Sequence, residues 1–514
     1  MEQLIENNLA SVAAFRPELV LTFGSIAIFL LDLVWRRSPS RRGYLTIATC
    51  AVLVAAAGFL AAQPVESASL FNGMIATDGF ATFFKWLFVG AGLLTTLIVS
   101  QTEEDFANVR VGEFYALLVT IVLGLFLMAS ATNLLMIYLS IELVSMVSYV
   151  LAGFRKADRK AAEASLKYVI FGGVASGVML FGMSYLYGLL GTADVLQFGP
   201  KLAALAAASG PGAAATKLAL VVGMVFVFAG VGYKIAAVPW HMWCPDVYEG
   251  APTSFTAFLS VGPKAAGFAV ALRFFYGTFA TPAGADGLST SLAGIPWPAI
   301  VGILSAVTMT LGNFTAIAQT NLKRLLAYSS IAHAGYTLMG LAAVSAIGAQ
   351  GVMIYMLIYL FMNLGAFLVV IVVAQATGSE SIFEYRGLAR RHPLAAVTFA
   401  IFLFSLTGLP PFAGFTAKWY LFYAVVERAA APGGFWYGAL AVVGALNTAV
   451  ALYYYARIIR AMFLEAPYTQ SSVTPRVGHQ VMLGALSAVI LVFGIWWAPI
   501  VDWSQRSLAM LRLG

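Results

Sequence analysis

Gly232-Tyr233-Lys234-Ile235-Ala236-Ala237-Val238-Pro239-Trp240-His241-Met242-Trp243 closes an apolar run that begins near residue 216. A run of that length and character reads as a membrane span. Two of its residues do not belong in a plain anchor. Lys234 places a charge where insertion scales set a cost of about 2.5–3.5 kcal/mol. Pro239 lacks an N–H and frees a carbonyl that only a neighbouring helix, a water or a side chain can satisfy. An interrupted, charged span reads as part of a transport site.

The rest of the chain has the same character. Of 514 residues, 61% are hydrophobic and 10% are charged, and the mean hydropathy is +0.88. A soluble fold of this length needs more charge to cover its surface. The reading is an all-α polytopic membrane protein. Cys50 and Cys244 cannot build a disulfide framework and lack metal-ligand spacing. No basic n-region with a short apolar stretch and an A-x-A site opens the chain, so no cleaved signal peptide is expected. The net charge of +7 fits loop basicity that orients a membrane protein better than an acidic partner.

Breaks between apolar runs predict about fourteen spans, near 17–35, 44–62, 79–99, 111–130, 132–153, 164–190, 216–238, 253–277, 299–319, 325–345, 349–376, 394–426, 433–463 and 477–499. The fourth and fifth are almost continuous. With this count, about 17 basic residues, including Arg36, Arg41, Arg155, Lys160, Arg324 and Arg391, fall on one side and about four on the other. The basic side is therefore cytoplasmic, and both termini are on the periplasmic side.

Prolines interrupt three spans: Pro239 in the seventh, Pro263 in the eighth and Pro410-Pro411 in the twelfth. Spans seven and twelve are each fourth in a five-span unit, and five is odd, so two such units in series cross the membrane in opposite senses. The expected architecture is two inverted five-helix repeats with helices 7 and 12 broken. The chain divides into a three-helix segment (1–110), a first repeat (111–277, spans 4–8), a second repeat (278–464, spans 9–13) and a final span with its tail (465–514).

Few charges lie inside the apolar runs. Glu142 is near the centre of span five, Lys234, Lys264 and Lys418 are in the interrupted spans, and His333 is in span ten. Intramembrane charges mark ion pathways or pair with one another, and Glu142 locked to a lysine is the structural alternative. Lysine suits a proton carrier, because burial lowers its pKa and a nearby carboxylate raises it again. His333 is either a shuttle or a hydrogen-bonded core residue. Lys167 is either functional or half of an i,i+4 pair with Glu163. Asp32, Lys85 and Arg273 lie towards span ends and are expected to snorkel. His241, Cys244, Asp246 and Glu249 fit no zinc pattern and read as a well-packed loop. Nucleotide fingerprints, Walker loops and CxxC arrays are absent. No cofactor or metal is expected on this chain, and any redox chemistry is expected in a partner.

The stretch from Gly232 through Asp246-Val247-Tyr248-Glu249-Gly250-Ala251-Pro252-Thr253 resembles the hallmark of the antiporter-like membrane subunits of respiratory complex I, the NADH–quinone oxidoreductase. Its Asp-Val-Tyr-Glu-Gly-Ala-Pro ending is similar to the N branch of that family. Tyr138 to Glu142, Asn321 to His333, and Leu409-Pro410-Pro411-Phe412-Ala413-Gly414-Phe415 through Lys418 extend the resemblance over the whole chain. It implies fourteen helices and a proton path through a helix-five glutamate at Glu142 and lysines at Lys234, Lys264 and Lys418, with the helix-six lysine at Lys167. A chain ending soon after span fourteen speaks against the L branch, and lysine on helix twelve against the M branch. The implied setting is the bacterial inner membrane, among other complex I membrane subunits and lipid, with no nucleic acid. NAD, flavin, iron–sulfur clusters and quinone are expected in partner subunits. The alternative is a subunit of a multi-subunit cation/proton antiporter. A passive channel is disfavoured, since titratable groups in broken helices impede simple permeation.

Overall fold

Helices begin here where a polar side chain can take up the free N–H groups of a first turn. Asp78, Asn133, Asp158, Asn321 and Ser345 each accept from a backbone N–H two or three residues ahead. The computed structural model describes residues 2–63, 67–102, 104, 110–207, 213–281, 284, 288–468 and 475–509. After an N-terminal helix (Glu2–Ala14) come α1 (Arg16–Val34), α2 (Arg41–Ala61), α3 (Gly79–Gln101), α4 (Val111–Ser130), α5 (Leu134–Ala152) and α6 (Arg159–Leu190). Then follow α7a (Ala213–Ile235), α7b (Trp243–Gly250), α8a (Thr253–Leu259), α8b (Gly262–Phe279), α9 (Trp297–Ile317) and α10 (Leu322–Ala342). The rest is α11 (Ala346–Thr377), α12a (Pro393–Thr407), α12b (Ala413–Ala430), α13 (Phe435–Leu464), α14 (Val477–Ile495) and a last helix (Ala498–Ala509).

Among the described residues, 12 helices are long and apolar enough to cross a membrane, the α8 pair counted as one. Two more spans complete the expected fourteen. One is α10, which carries Lys323, Arg324 and His333, and the other is the divided α12a/α12b. Helices 7 and 12 are broken as expected. Helix 8 is also interrupted, at Ser260-Val261, just ahead of Pro263. The near-continuous fourth and fifth spans part at Ala131 to Asn133, where Ala131 bridges Ile75 of a small antiparallel hairpin (Ala68–Leu70 with Ile75–Thr77).

The inverted repeat is visible in its joints. Asn133 caps α5 and bridges Asp194 beyond α6, while Asn321 caps α10 and bridges Ser381 beyond α11. The main-chain bonds recur too: Leu134 N to Ala193 O at 2.8 Å, and Leu322 N to Glu380 O at 2.9 Å. Both α6 and α11 end on a left-handed glycine, Gly191 and Gly378. Five crossings separate the two joints, so they lie on opposite membrane faces.

The centre is formed by α8a/α8b, whose whole span is buried, and by α11, 94% of whose most apolar window is buried. Protein thus encloses the helices that neighbour the lysines, while α1, α2 and α13 present most of their surface outward.

One expectation fails. Lys85 does not snorkel: it is ion-paired to Glu18 at 2.6 Å, with both side chains 1% exposed. Arg273 holds Asp78 through two bonds of 2.8 and 3.0 Å and also donates to the Ala129 carbonyl. Asp32 accepts two bonds from Arg41 at 2.6 and 2.8 Å. Lys85 and Arg273 are held by carboxylates brought in from distant segments, and Asp32 by an arginine from the next helix. A reading of each charge within its own span could not see any of the three partners.

Candidate functional site

The first station lies on α5, where Glu142, Ser145 and Tyr149 follow the helical repeat along one side. Glu142 is half-buried and accepts a hydrogen bond from Ser176 Oγ on α6. Lys234, on the last turn of α7a, is 2% exposed and donates to Ser145 Oγ at 3.0 Å. The described residues show no ion pair between Glu142 and Lys234. The ammonium docks one turn of α5 away from the carboxylate instead of locking to it, contrary to the permanent-pair alternative.

α8b brings the next lysine close. A Cβ at Gly267 would meet Ile235 Cγ2 at 2.6 Å and Lys234 Cβ and Cγ at 3.6 Å, so only glycine lets the end of α7a lie this near α8b. One turn from Gly267, Lys264 (2% exposed) donates to the carbonyl and the hydroxyl of Ser330 on α10, both at 2.6 Å.

From Ser330 the polar line continues along α10. Ser329 Oγ hydrogen-bonds the Tyr455 hydroxyl of α13, which lies 3.3 Å from His333 Nε2. His333 Nδ1 meets the Tyr355 hydroxyl of α11. One turn on, Tyr336 turns its ring face to Lys418, whose Nζ is 4.3 Å from the centroid. Lys418, on the second turn of α12b, is 4% exposed and donates to the Thr407 carbonyl at 2.8 Å, the end of α12a. Tyr336 is itself anchored: Asn313 Nδ2 donates to its hydroxyl at 3.2 Å and also to Asn447 Oδ1 at 3.2 Å.

Thus Glu142, Lys234, Lys264, His333 and Lys418 are brought into one interior row, each beside a serine or tyrosine side chain. Lys167 is not part of that row. It is 37% exposed and pairs with Glu163 and with Asp246, each at 2.6 Å. Arg324 joins Asp246 at 2.6 Å and Glu249 at 3.1 Å, and Glu249 also takes Lys160 at 2.9 Å. The segment after helix 7 is therefore a charged seam as well as a well-packed turn. No group of three or more His, Cys, Asp or Glu that could hold a metal occurs among the described residues.

Ser145, Ser330, Tyr336, Tyr355 and Tyr455 escaped the sequence reading, because a hydroxyl in an apolar run carries no charge signal. A weak clue existed: buried phenols need partners, and Tyr355 and Tyr359, one turn apart, share a face of a mostly apolar helix.

Two broken helices flanking a buried row of lysines define a class, the antiporter-like membrane subunits. Residues 131–444 match the family described as NADH:quinone oxidoreductase/Mrp antiporter, TM. An NADH-quinone oxidoreductase subunit N from Anaeromyxobacter sp. (strain Fw109-5) is 68% identical over 512 residues, covering 99% of each chain. One from Sorangium cellulosum, subunit N 2, is 45% identical over 100% of both. A chain of respiratory complex I from Thermus thermophilus superposes with a TM-score of 0.76 at 29% identity, over 95% of this chain and 98% of that one. An Mrp complex chain from Dietzia sp. DQ12-45-1b shares the fold, with a TM-score of 0.75 at 19% identity and 97% of each chain covered. The chain belongs to this family, as a proton-translocating membrane subunit of the NADH–quinone oxidoreductase type.

Proposed function

We propose that Glu142, Lys234, Lys264 and Lys418, with His333 between the last two, form the relay through which this subunit couples quinone reduction to proton pumping. One contrast supports the reading. Among the described residues, the two buried lysines outside the row sit on carboxylates: Lys85 on Glu18 and Lys323 on Glu380, at 2.6 and 3.0 Å. Among the described residues, Lys234, Lys264 and Lys418 donate only to neutral oxygens. An ammonium paired to a buried carboxylate is expensive to neutralise. One held by a hydroxyl or a carbonyl keeps a partner whether it is charged or neutral, which is what a carrier needs. Ser145 and Ser330, as hydroxyls, can also donate back to a neutral amine.

In this reading the subunit does no redox chemistry. NAD, flavin, iron–sulfur clusters and quinone belong to partner subunits, and its neighbours are other membrane subunits and lipid. The division at residues 110, 277 and 464 separates the three-helix segment and the final span from the two units that carry the relay. Loop charge supports a bacterial inner-membrane orientation with both termini periplasmic. A cysteine in the 155–160 loop, on a background without Cys50 and Cys244, should resist an impermeant thiol reagent in intact cells. Its partner site in the orientation test, the 207–215 loop, lies mostly outside the described residues.

Glu142→Gln and Lys234→Ala each test the relay. In assembled complex, both should lower quinone reduction and proton uptake in vesicles together, by roughly tenfold or more. Near-normal values for both would defeat it.

A further inference from the structure

α7b is short and cut off. An isolated eight-residue helix is not stable by itself, and the 236–242 turn separates it from α7a. Its position therefore depends on what its two faces touch. The inner face reaches both first lysine stations. Trp243 Nε1 donates at 3.0 Å to the Tyr233 carbonyl, immediately before Lys234, and its ring stacks on Tyr168 of α6 at 4.4 Å. The Tyr248 hydroxyl lies 3.4 Å from Ser330 Oγ, the acceptor of Lys264. The outer face carries Asp246 and Glu249. Asp246 holds Lys167 of α6 through one oxygen and Arg324 of α10 through the other, both at 2.6 Å. Glu249 takes the same arginine and Lys160.

We propose that Lys167, Asp246, Arg324 and Glu249 form a strap that holds α7b between α6 and α10, and that Lys167 is a positioning residue rather than a station on the proton path. The inference rests on the relay reading above. Lys167 is half-exposed and faces two carboxylates, and among the described residues it makes no hydrogen bond to a hydroxyl of the interior row. Its ammonium is ion-paired to carboxylates, as those of Lys85 and Lys323 are, whereas Lys234 is held by a hydroxyl. The strap acts on the relay through Trp243 and Tyr248. Loosening it shifts the groups that support the Tyr233 carbonyl and the Ser330 hydroxyl. Single exposed ion pairs contribute little, but two carboxylates sharing one arginine across three helices act as a unit.

The test compares Lys167→Arg, Lys167→Met, Asp246→Asn and the Lys167→Met/Asp246→Asn double variant in purified, assembled complex. Quinone-reductase turnover and protons pumped per electron are measured in vesicles. A strap needs only a cation at 167, and arginine cannot release a proton at physiological pH. Lys167→Arg should therefore turn over within about twofold of the parent. Lys167→Met and Asp246→Asn should each slow turnover roughly three- to tenfold, and the double variant should be no slower than the worse single one. Protons per electron should not change, because every station remains. Exchanging the pair, Lys167→Asp with Asp246→Lys, should recover at least part of the rate lost in the single variants. If Lys167→Met does not assemble, Lys167→Arg still decides. Turnover or proton ratio in Lys167→Arg as low as in the neutral variants overturns the strap and makes Lys167 a carrier. Multiplicative effects in the double variant overturn it as well. The relay reading fails by a different result, normal pumping with Lys234→Ala, so the two are separable.

Discussion

The two helix breaks look alike in outline and differ in how their lysines are used. At the first, Lys234 precedes the interruption, and the freed main-chain groups are taken by others. Trp243 Nε1 donates to the Tyr233 carbonyl at 3.0 Å, and Thr308 Oγ1 accepts from Val238 N at 3.0 Å. Lys234 is left to a side-chain hydroxyl, that of Ser145. At the second break Lys418 follows the interruption and itself satisfies the carbonyl that ends α12a. Its stem lies over Gly408, whose φ of 88° and the 2.7 Å from a Cβ there to Lys418 Cδ leave room only for glycine. Lys234 is thus a guest at its break, whereas Lys418 is a structural part of its own. The same topology can hold a lysine either beside a discontinuity or as its closing bond, and in the proposed relay the second arrangement would tie proton transfer to local stability.

The largest expected effect comes from Lys418→Arg. Arginine keeps a donor for the Thr407 carbonyl and keeps the charge, but it cannot release its proton. The intact complex should assemble and lose most of its pumping; a wild-type rate would return Lys418 to a structural role. Lys418→Ala should lose pumping too and, unlike Lys234→Ala, should lower thermal stability. The orphaned carbonyl costs about 1–3 kcal/mol, which differential scanning of the two purified variants would register. Equal stabilities would erase the contrast between the breaks.

Ser145→Ala comes next. It removes the hydroxyl that Lys234 uses, a bond to a charged group worth about 1.5–3 kcal/mol. Turnover should fall roughly tenfold to a hundredfold, with little change in assembly, since no main-chain group is exposed. No side-chain substitution has the same meaning at the second break, where the acceptor is backbone. An unchanged rate would place the acceptor of Lys234 elsewhere.

The smallest effects concern Tyr336. A cation over an aromatic face contributes about 0.5–2 kcal/mol, so Tyr336→Leu should slow pumping roughly twofold to thirtyfold. Tyr336→Phe keeps the ring and loses the bonds from Asn313 and Thr448, and should stay within about twofold of the parent. If the two variants are equally slow, the hydroxyl network rather than the ring supports Lys418.

Much of this molecule is determined by local chemistry and so can be read from the chain alone. Apolar runs of bilayer length and proline at 239, 263 and 410–411 specify spans and interruptions, because each depends on nearest neighbours and the solvent around them. The cost of a charge in hydrocarbon likewise marked Glu142, Lys234, Lys264 and Lys418 before any contact was known. What each charge does was decided only by the tertiary structure. Lys85 and Lys234 are both lysines in apolar helices, yet one meets Glu18 and the other Ser145. Lys167, matched by resemblance to the family's helix-six lysine, meets Asp246, 79 residues away. The hydroxyls of Ser330, Tyr355 and Tyr455 entered the row only when α10, α11 and α13 came together. A charge announces its cost within its own helix. Its partner, and hence its role, comes from helices remote in sequence, which only folding brings within hydrogen-bonding distance.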